Sequence, residues 1–164
     1  MLPIRTVLHP TDFSDYSGYA FKFACSLARD YGARLVVLHV LTRPVFIYGE
    51  GVIPPEPAGF EDQLRQRLHQ VQPEDPNLQL EHRLVEGEAA AEILRLAEEA
   101  KCDLIVMGTH GRTGLGRLLM GSVAEQVARK SPCPVLTVKI PHPPAPSSEE
   151  AVTAAAEKGA EAAK

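Results

Sequence analysis

Leu104-Ile105-Val106-Met107-Gly108-Thr109-His110-Gly111-Arg112-Thr113-Gly114-Leu115-Gly116, followed by Gly121-Ser122, decides how this chain is read. Four consecutive apolar residues suit a strand buried on both faces. They empty into a glycine-rich loop, after which an amphipathic pattern begins. Strand, glycine loop and helix N-terminus in that order gather backbone N–H groups with no Cβ in the way, at the positive end of a helix dipole. That arrangement suits an anion such as a phosphate. Gly108 and Gly111 let the chain turn sharply, and Gly108 lets a ligand lie against bare backbone. Gly121-Ser122 opens the next helix, so amides from both ends of the loop can face one anion. Ser122 adds a hydroxyl, and Arg112 and Arg117 add positive charge. A plainer reading exists. Ser122 and Glu125 spell S-x-x-E, a capping box that needs no ligand, and Glu125 competes with an anion. Neither G-x-x-x-x-G-K-[ST] nor a G-x-G-x-x-G after the first strand is present.

Outward from this stretch, apolar runs alternate with helical periods. Ile4 to His9 reads as a strand ending at Pro10. Ser14 then caps a helix with the stripe Tyr16, Tyr19, Ala20, Phe23, Ala24, Leu27, Ala28 and Tyr31, closed by Gly32. Arg34 to Val40 is a second strand. Thr42 to Gly59 is broken by prolines and glycines and reads as a long loop, a lid or interaction surface, with Val45, Phe46, Ile47, Tyr48 and Val52 for packing. Phe60 to Val71 returns to helical spacing and stops at Pro73 and Pro76. Leu78 to Val85 alternates as a half-exposed strand. Glu88 to Ala100 is a helix with Ala90, Ile93, Leu94, Ala97 and Ala100 inward. Asp103 to Met107 is the fourth strand. Val123, Ala124, Val127 and Ala128 mark the fourth helix, and Val135 to Ile140 the fifth strand. Five strands alternating with four helices imply an α/β, doubly wound, Rossmann-like fold: a five-stranded, mainly parallel sheet with helices on both faces. Right-handed crossovers put every strand C-terminus on one edge, and ligands bind there, where the strand order switches.

The 164 residues suit one domain over 1–140, with net charge −4 and no basic stripe to suggest a nucleic-acid partner. No apolar run is long enough to span a bilayer, and the first residues lack a signal peptide's apolar region, so neither membrane nor export is expected. Cys25, Cys102 and Cys133 are odd in number and widely spaced, which fits buried thiols in a reducing cytoplasm better than a disulfide framework or zinc site. Residues 141–164 are rich in proline, then in alanine, glutamate and lysine, and read as a mobile tail.

The run from Gly108 to Lys139 resembles the signature of the universal stress protein family, as do Pro10-Thr11-Asp12-Phe13-Ser14 after the first strand and Leu38-His39-Val40 at the end of the second. The match extends in order and spacing over residues 3 to 140. The family's nucleotide-binding subset carries Gly-x2-Gly-x9-Gly-(Ser/Thr), which falls on Gly108, Gly111, Gly121 and Ser122 without a gap. The resemblance implies the adenine-nucleotide alpha-hydrolase-like form of the fold, an ATP (or other adenine nucleotide) ligand, a stress-response role, and Mg2+ or Mn2+ held through the phosphates. It places Asp12 near the ribose and phosphates, directly or through the metal ion. Pro10 and Thr11 form the pocket floor, Val40 lies against adenine and Met107 lines the pocket. Gly108, Thr109, His110, Gly111, Arg112, Thr113 and Gly114, with Gly121, Ser122 and Val123, wrap the ribose and phosphates.

His9, His39 and His110 fall at or just beyond strand ends, but their spacing is no ligand motif. His69, His82 and His142 read as surface residues. No G-x-S-x-G elbow supports a hydrolase triad, and no strong catalytic base stands out, so at most a weak ATPase is expected. A homodimer through the last strand, Val135 to Ile140, covers an otherwise exposed apolar edge, and the resemblance implies the same. The alternative function is a dimeric interaction scaffold in which the glycines serve only the turn; the sequence names no protein partner.

Overall fold

The structure, a computed structural model, describes residues 3–43, 59–109 and 120–141. Strands β1 (Thr6–Pro10), β2 (Arg34–Leu41), β3 (Leu80–Glu86), β4 (Leu104–Gly108) and β5 (Val135–Val138) alternate with helices α1 (Asp15–Tyr31), α2 (Phe60–His69), α3 (Ala89–Glu99) and α4 (Ser122–Lys130). The strands form one sheet in the order β3-β2-β1-β4-β5, and every pairing is parallel, so the sheet is wholly rather than mainly parallel. The chain runs outward through β1, β2 and β3, then returns to lay β4 on the free side of β1. The switch in strand order is therefore the crevice between the C-terminal ends of β1 and β4.

Alternate strand residues feed two cores. Leu8, Val36, Leu38, Ile105 and Met107 pack with Ala90, Ile93, Ala97, Ala124 and Val127 of α3 and α4. Val7, Leu35, Val37, Leu104 and Val106 face the other way, onto Ala20, Ala24 and Ala28 of α1 and Leu68 of α2. Near-continuous apolar strands were the sign of this double burial.

Local chemistry sets the element ends. Ser14 caps α1, its Oγ accepting from the Ser17 N–H at 3.2 Å, and Gly32 closes it at φ 63°. The stripe of α1 is narrower than expected: the three alanines are fully buried, but Phe23 and Tyr31 are each 42% exposed. The helix lies so close to the sheet that small residues make the contact. β1 starts at Thr6 rather than Ile4, where the Asp103 carboxylate takes the Arg5 and Thr6 amides at 2.8 and 3.0 Å. β3 starts at Leu80 rather than Leu78, because Asp75 holds Asn77 and Leu78 in a turn. β5 ends at Val138 rather than Ile140, opposite Gly108, the last residue of its partner. The long loop is described only at Thr42, Arg43 and Gly59, with Arg43 paired to Glu86 at 3.0 Å; its residues 44–58, and tail residues 142–164, lie outside the described residues. Among the described residues, no helix is long and apolar enough to cross a membrane.

Candidate functional site

The crevice between β1 and β4 opens into a cavity of about 310 Å³ at the C-terminal edge of the sheet. Its position follows from a missing amide. The β1–β4 pairing stops at Leu8↔Ile105. Continued, the ladder would offer the N–H of position 10 to the Val106 carbonyl, but position 10 is proline and has none. The Nδ1–H of His9 donates to that carbonyl instead, at 2.8 Å. The strands splay beyond this point. His9 is fully buried, its Nε2 has no hydrogen-bond partner among the described residues, and burial pushes its pKa down from 6.5 to about 4, against the opposing pull of the Val106 carbonyl and Asp12.

Of the residues singled out in the sequence, Pro10, Thr11, Asp12, Val40, Met107, Gly108, Thr109, Gly121, Ser122 and Val123 all line this cavity. His110, Gly111, Arg112, Thr113 and Gly114 lie outside the described residues. Leu38 and His39 of β2 line it as well, and sequence reasoning missed Ala89 and Ile93 of α3, Ala124 of α4, and Ser17. Ile93 read as an ordinary core position, and only the strand order reveals that α3 begins beside the crevice.

The floor is a tight polar turn. The Asp12 Oδ1 accepts from the Ser14 N–H at 3.0 Å and from the Ser14 hydroxyl at 2.6 Å. The Thr11 Oγ1 accepts from the Phe13 N–H at 3.1 Å and lies 3.1 Å from the Ser17 Oγ. His39 donates its Nδ1–H to the Thr11 carbonyl at 2.7 Å. The Nδ1 atoms of His9 and His39 are thus spent on backbone carbonyls. Among the described residues no three His, Cys, Asp or Glu side chains converge to hold a metal ion, and Asp12 is the one carboxylate among the described lining residues. His82, expected at the surface, is half-buried and donates its Nε2–H to the Val71 carbonyl at 2.8 Å.

The two glycine positions carry contacts that the sequence reading did not include. A Cβ on Gly108 would sit 3.1 Å from the backbone carbonyl of Tyr16, so close approach of α1 to β4 favours glycine there. Gly121, not Ser122, is the N-cap of α4, and the capping box does not form: Glu125 instead pairs with Arg129 at 3.0 Å. The Gly121 N–H is taken by the Thr109 carbonyl at 2.8 Å, which pins together the two ends of the 110–120 segment and removes one amide from the expected anion cradle. The following amides, of Ser122, Val123 and Ala124, belong to a first turn whose N-cap, Gly121, has no side chain to cap them, and those three residues line the cavity.

The chemistry of the cavity is therefore divided. Val40, Ile93, Met107 and Val123 offer an apolar wall for a flat ring, and the first turn of α4 offers N–H groups to an anion. All three cysteines are free; Cys102 is buried, while Cys25 and Cys133 are only half-buried.

Comparison with known proteins agrees with this architecture. Universal stress protein MJ0531 of Methanocaldococcus jannaschii is 37% identical over 141 residues, spanning 84% of this chain and 83% of its own. The solved structure of MJ0577 from the same organism superposes with a TM-score of 0.67 at 30% identity, covering 87% of this chain and all of the other. A universal stress protein solved in complex with cAMP superposes at 0.61 with 29% identity, covering 84% and 98%. The family profile described as "Universal stress protein family" matches residues 3–139, from before β1 to just past β5. With that match spanning the whole sheet, and relatives of this similarity along most of its length, the chain belongs to the universal stress protein family.

Proposed function

We propose that the chain is a stress-response protein that binds ATP, or another adenine nucleotide, in the cavity between β1 and β4. The observation that carries this reading is the first turn of α4, with glycine as its N-cap, opening on a cavity whose remaining described wall is largely apolar. The amides of Ser122, Val123 and Ala124 take phosphate oxygens, and the apolar residues take the base. The likeness to a relative solved with cAMP supports an adenine nucleotide in particular. Asp12 would face the ribose and phosphates, and its carboxylate would help hold a Mg2+ or Mn2+ ion that neutralises phosphate charge. Pro10, Thr11, Val40, Met107, Gly108 and Thr109 complete the contacts. The protein works as a nucleotide-gated binding module, with hydrolysis slow if it occurs.

Two further parts belong to this reading. Free thiols at all three cysteines support a reducing, cytoplasmic setting. The two sheet edges differ: outermost β3 carries Glu81, Arg83 and Glu86, whereas outermost β5 is Val-Leu-Thr-Val with Leu136 38% exposed. Charges guard the first edge against pairing, and their absence from the second supports a homodimer through β5.

The second reading, a scaffold that needs no nucleotide, draws on Gly108, which packing against Tyr16 favours with or without a ligand. Calorimetric titration with ATP and Mg2+ separates the two. Wild type binds saturably, and Ser122→Glu, which sets a carboxylate at the α4 N-terminus, weakens ATP at least about tenfold while leaving the unliganded melting temperature unchanged or higher. No binding at millimolar ATP leaves the scaffold.

A further inference from the structure

Two non-glycine residues among the described ones have positive φ, and one of them, Phe13 at 63°, directly follows Asp12. A bulky side chain keeps that conformation only where its surroundings impose it. Here the surroundings are specific. The Phe13 N–H donates to the Thr11 Oγ1 at 3.1 Å. Its ring centroid lies 4.3 Å from that of His39, and the guanidinium carbon of Arg67 sits 4.5 Å over the same ring. His39, on β2, in turn holds the Thr11 carbonyl. Arg67 comes from the last turn of α2, a helix that contributes no residue to the cavity's described lining.

Two side chains from two elements, His39 of β2 and Arg67 of α2, therefore converge on Phe13 in the turn that presents Asp12. We propose that the Arg67–Phe13–His39 stack is the positioning device for Asp12 and the Thr11 carbonyl, and that Phe13 and Arg67 tune nucleotide affinity without touching the nucleotide. The proposal rests on the nucleotide reading above. The stack forces the chain into its left-handed step at Phe13, which folds Ser14 back so that its N–H and hydroxyl both reach the Asp12 Oδ1. Glycine at position 13 adopts the same φ without strain but has no ring for Arg67 or His39 to hold, so the turn loses its outside constraint. Cation–π attraction at an exposed site is modest, and the Arg67 contribution is accordingly the smaller one.

The experiment pairs calorimetric titration with MgATP and native-state amide exchange on wild type, Phe13→Gly, Arg67→Gln, Arg67→Lys and the Phe13→Gly/Arg67→Gln double variant. Expected is an affinity loss of about tenfold for Phe13→Gly and about threefold for Arg67→Gln, with Arg67→Lys recovering most of the latter. Arg67 is exposed, so its variants leave the melting temperature in place, and a change of affinity at constant stability is not what a merely structural contact produces. The double variant binds no more weakly than Phe13→Gly alone, because Arg67 acts through the ring. Without nucleotide, the Ser14 amide exchanges at least about tenfold faster in Phe13→Gly, while helix-interior amides such as that of Ala24 keep their rates. Unchanged Ser14 exchange overturns the positioning role whether or not nucleotide binds. Unchanged affinity in both single variants of a protein that binds ATP, or additive losses in the double variant, overturns the coupling through Phe13. A wild type that takes no nucleotide refutes the earlier reading, and the coupling to affinity with it.

Discussion

Acidification should destabilise this protein through one imidazole. His9 is fully buried, and its pKa is pushed down from 6.5 to about 4, chiefly by burial. Between those two values the unfolded chain binds a proton at this site that the folded chain refuses. The contribution of His9 is therefore fully present above pH 6.5, shrinks as pH falls below it, and is lost once pH has passed through the folded value. Because the ring is wholly buried, no discount for solvent screening applies. The separation of the two pKa values corresponds to about 3 kcal/mol in full, of which about 2 kcal/mol is lost between pH 7.5 and pH 5. The carboxylates titrate over part of the same range, so the measurement is a difference. His9→Asn places an amide donor near the Nδ1 position, within reach of the Val106 carbonyl, and has no titration. Urea unfolding of wild type and His9→Asn at half-unit steps from pH 7.5 to 5 should give two curves whose separation changes by about 2 kcal/mol in favour of the variant as pH falls. A separation that stays constant with pH would show that His9 does not enter the fold as a buried neutral ring, and the reasoning about the splayed strands would fall with it.

Three other outcomes follow from particular contacts. Gly108→Ala forces its methyl to 3.1 Å from the Tyr16 backbone; overpacking of this kind costs about 1–3 kcal/mol, which calorimetry should register as a melting temperature lower by several degrees. Lys101, at φ 50° just after α3, occupies a left-handed position that suits glycine; Lys101→Gly should raise stability by about 1 kcal/mol and the melting temperature by about 2–4 °C. Leu136→Lys introduces onto β5 the kind of charge that β3 already carries; if β5 joins two copies, analytical ultracentrifugation should find wild type dimeric and the variant monomeric at the same concentration.

The fold was legible because its signals are local and redundant. β1, β2 and β4 are apolar runs too uniform for anything but double burial, and Ser14 and Gly32 mark both ends of α1 in side-chain and backbone chemistry that acts within four residues. Misread boundaries lie where a distant group intervenes: Asp103 reaching back to the start of β1, and the end of β4 cutting β5 short. The cavity was legible in part. Asp12 and Val40 stood out through family resemblance, and the loop glycines through their spacing. Ile93 and Ala124 did not, because a helical residue facing a cavity and one facing a core obey the same period. At Gly108 the structure adds a reason that the sequence does not show: a Cβ would crowd a carbonyl 92 positions away in the chain, at Tyr16, and no local pattern encodes that.

The replacement of a peptide amide by the His9 ring at the end of β1 has a consequence for capture. A proline alone would leave the Val106 oxygen bare and the two strands free to drift together or apart. The imidazole acts as a strut of fixed length, so the fork between β1 and β4 is set when the chain folds and is already open before any guest arrives. For a ligand of the proposed kind, entry would then require no prying of the sheet.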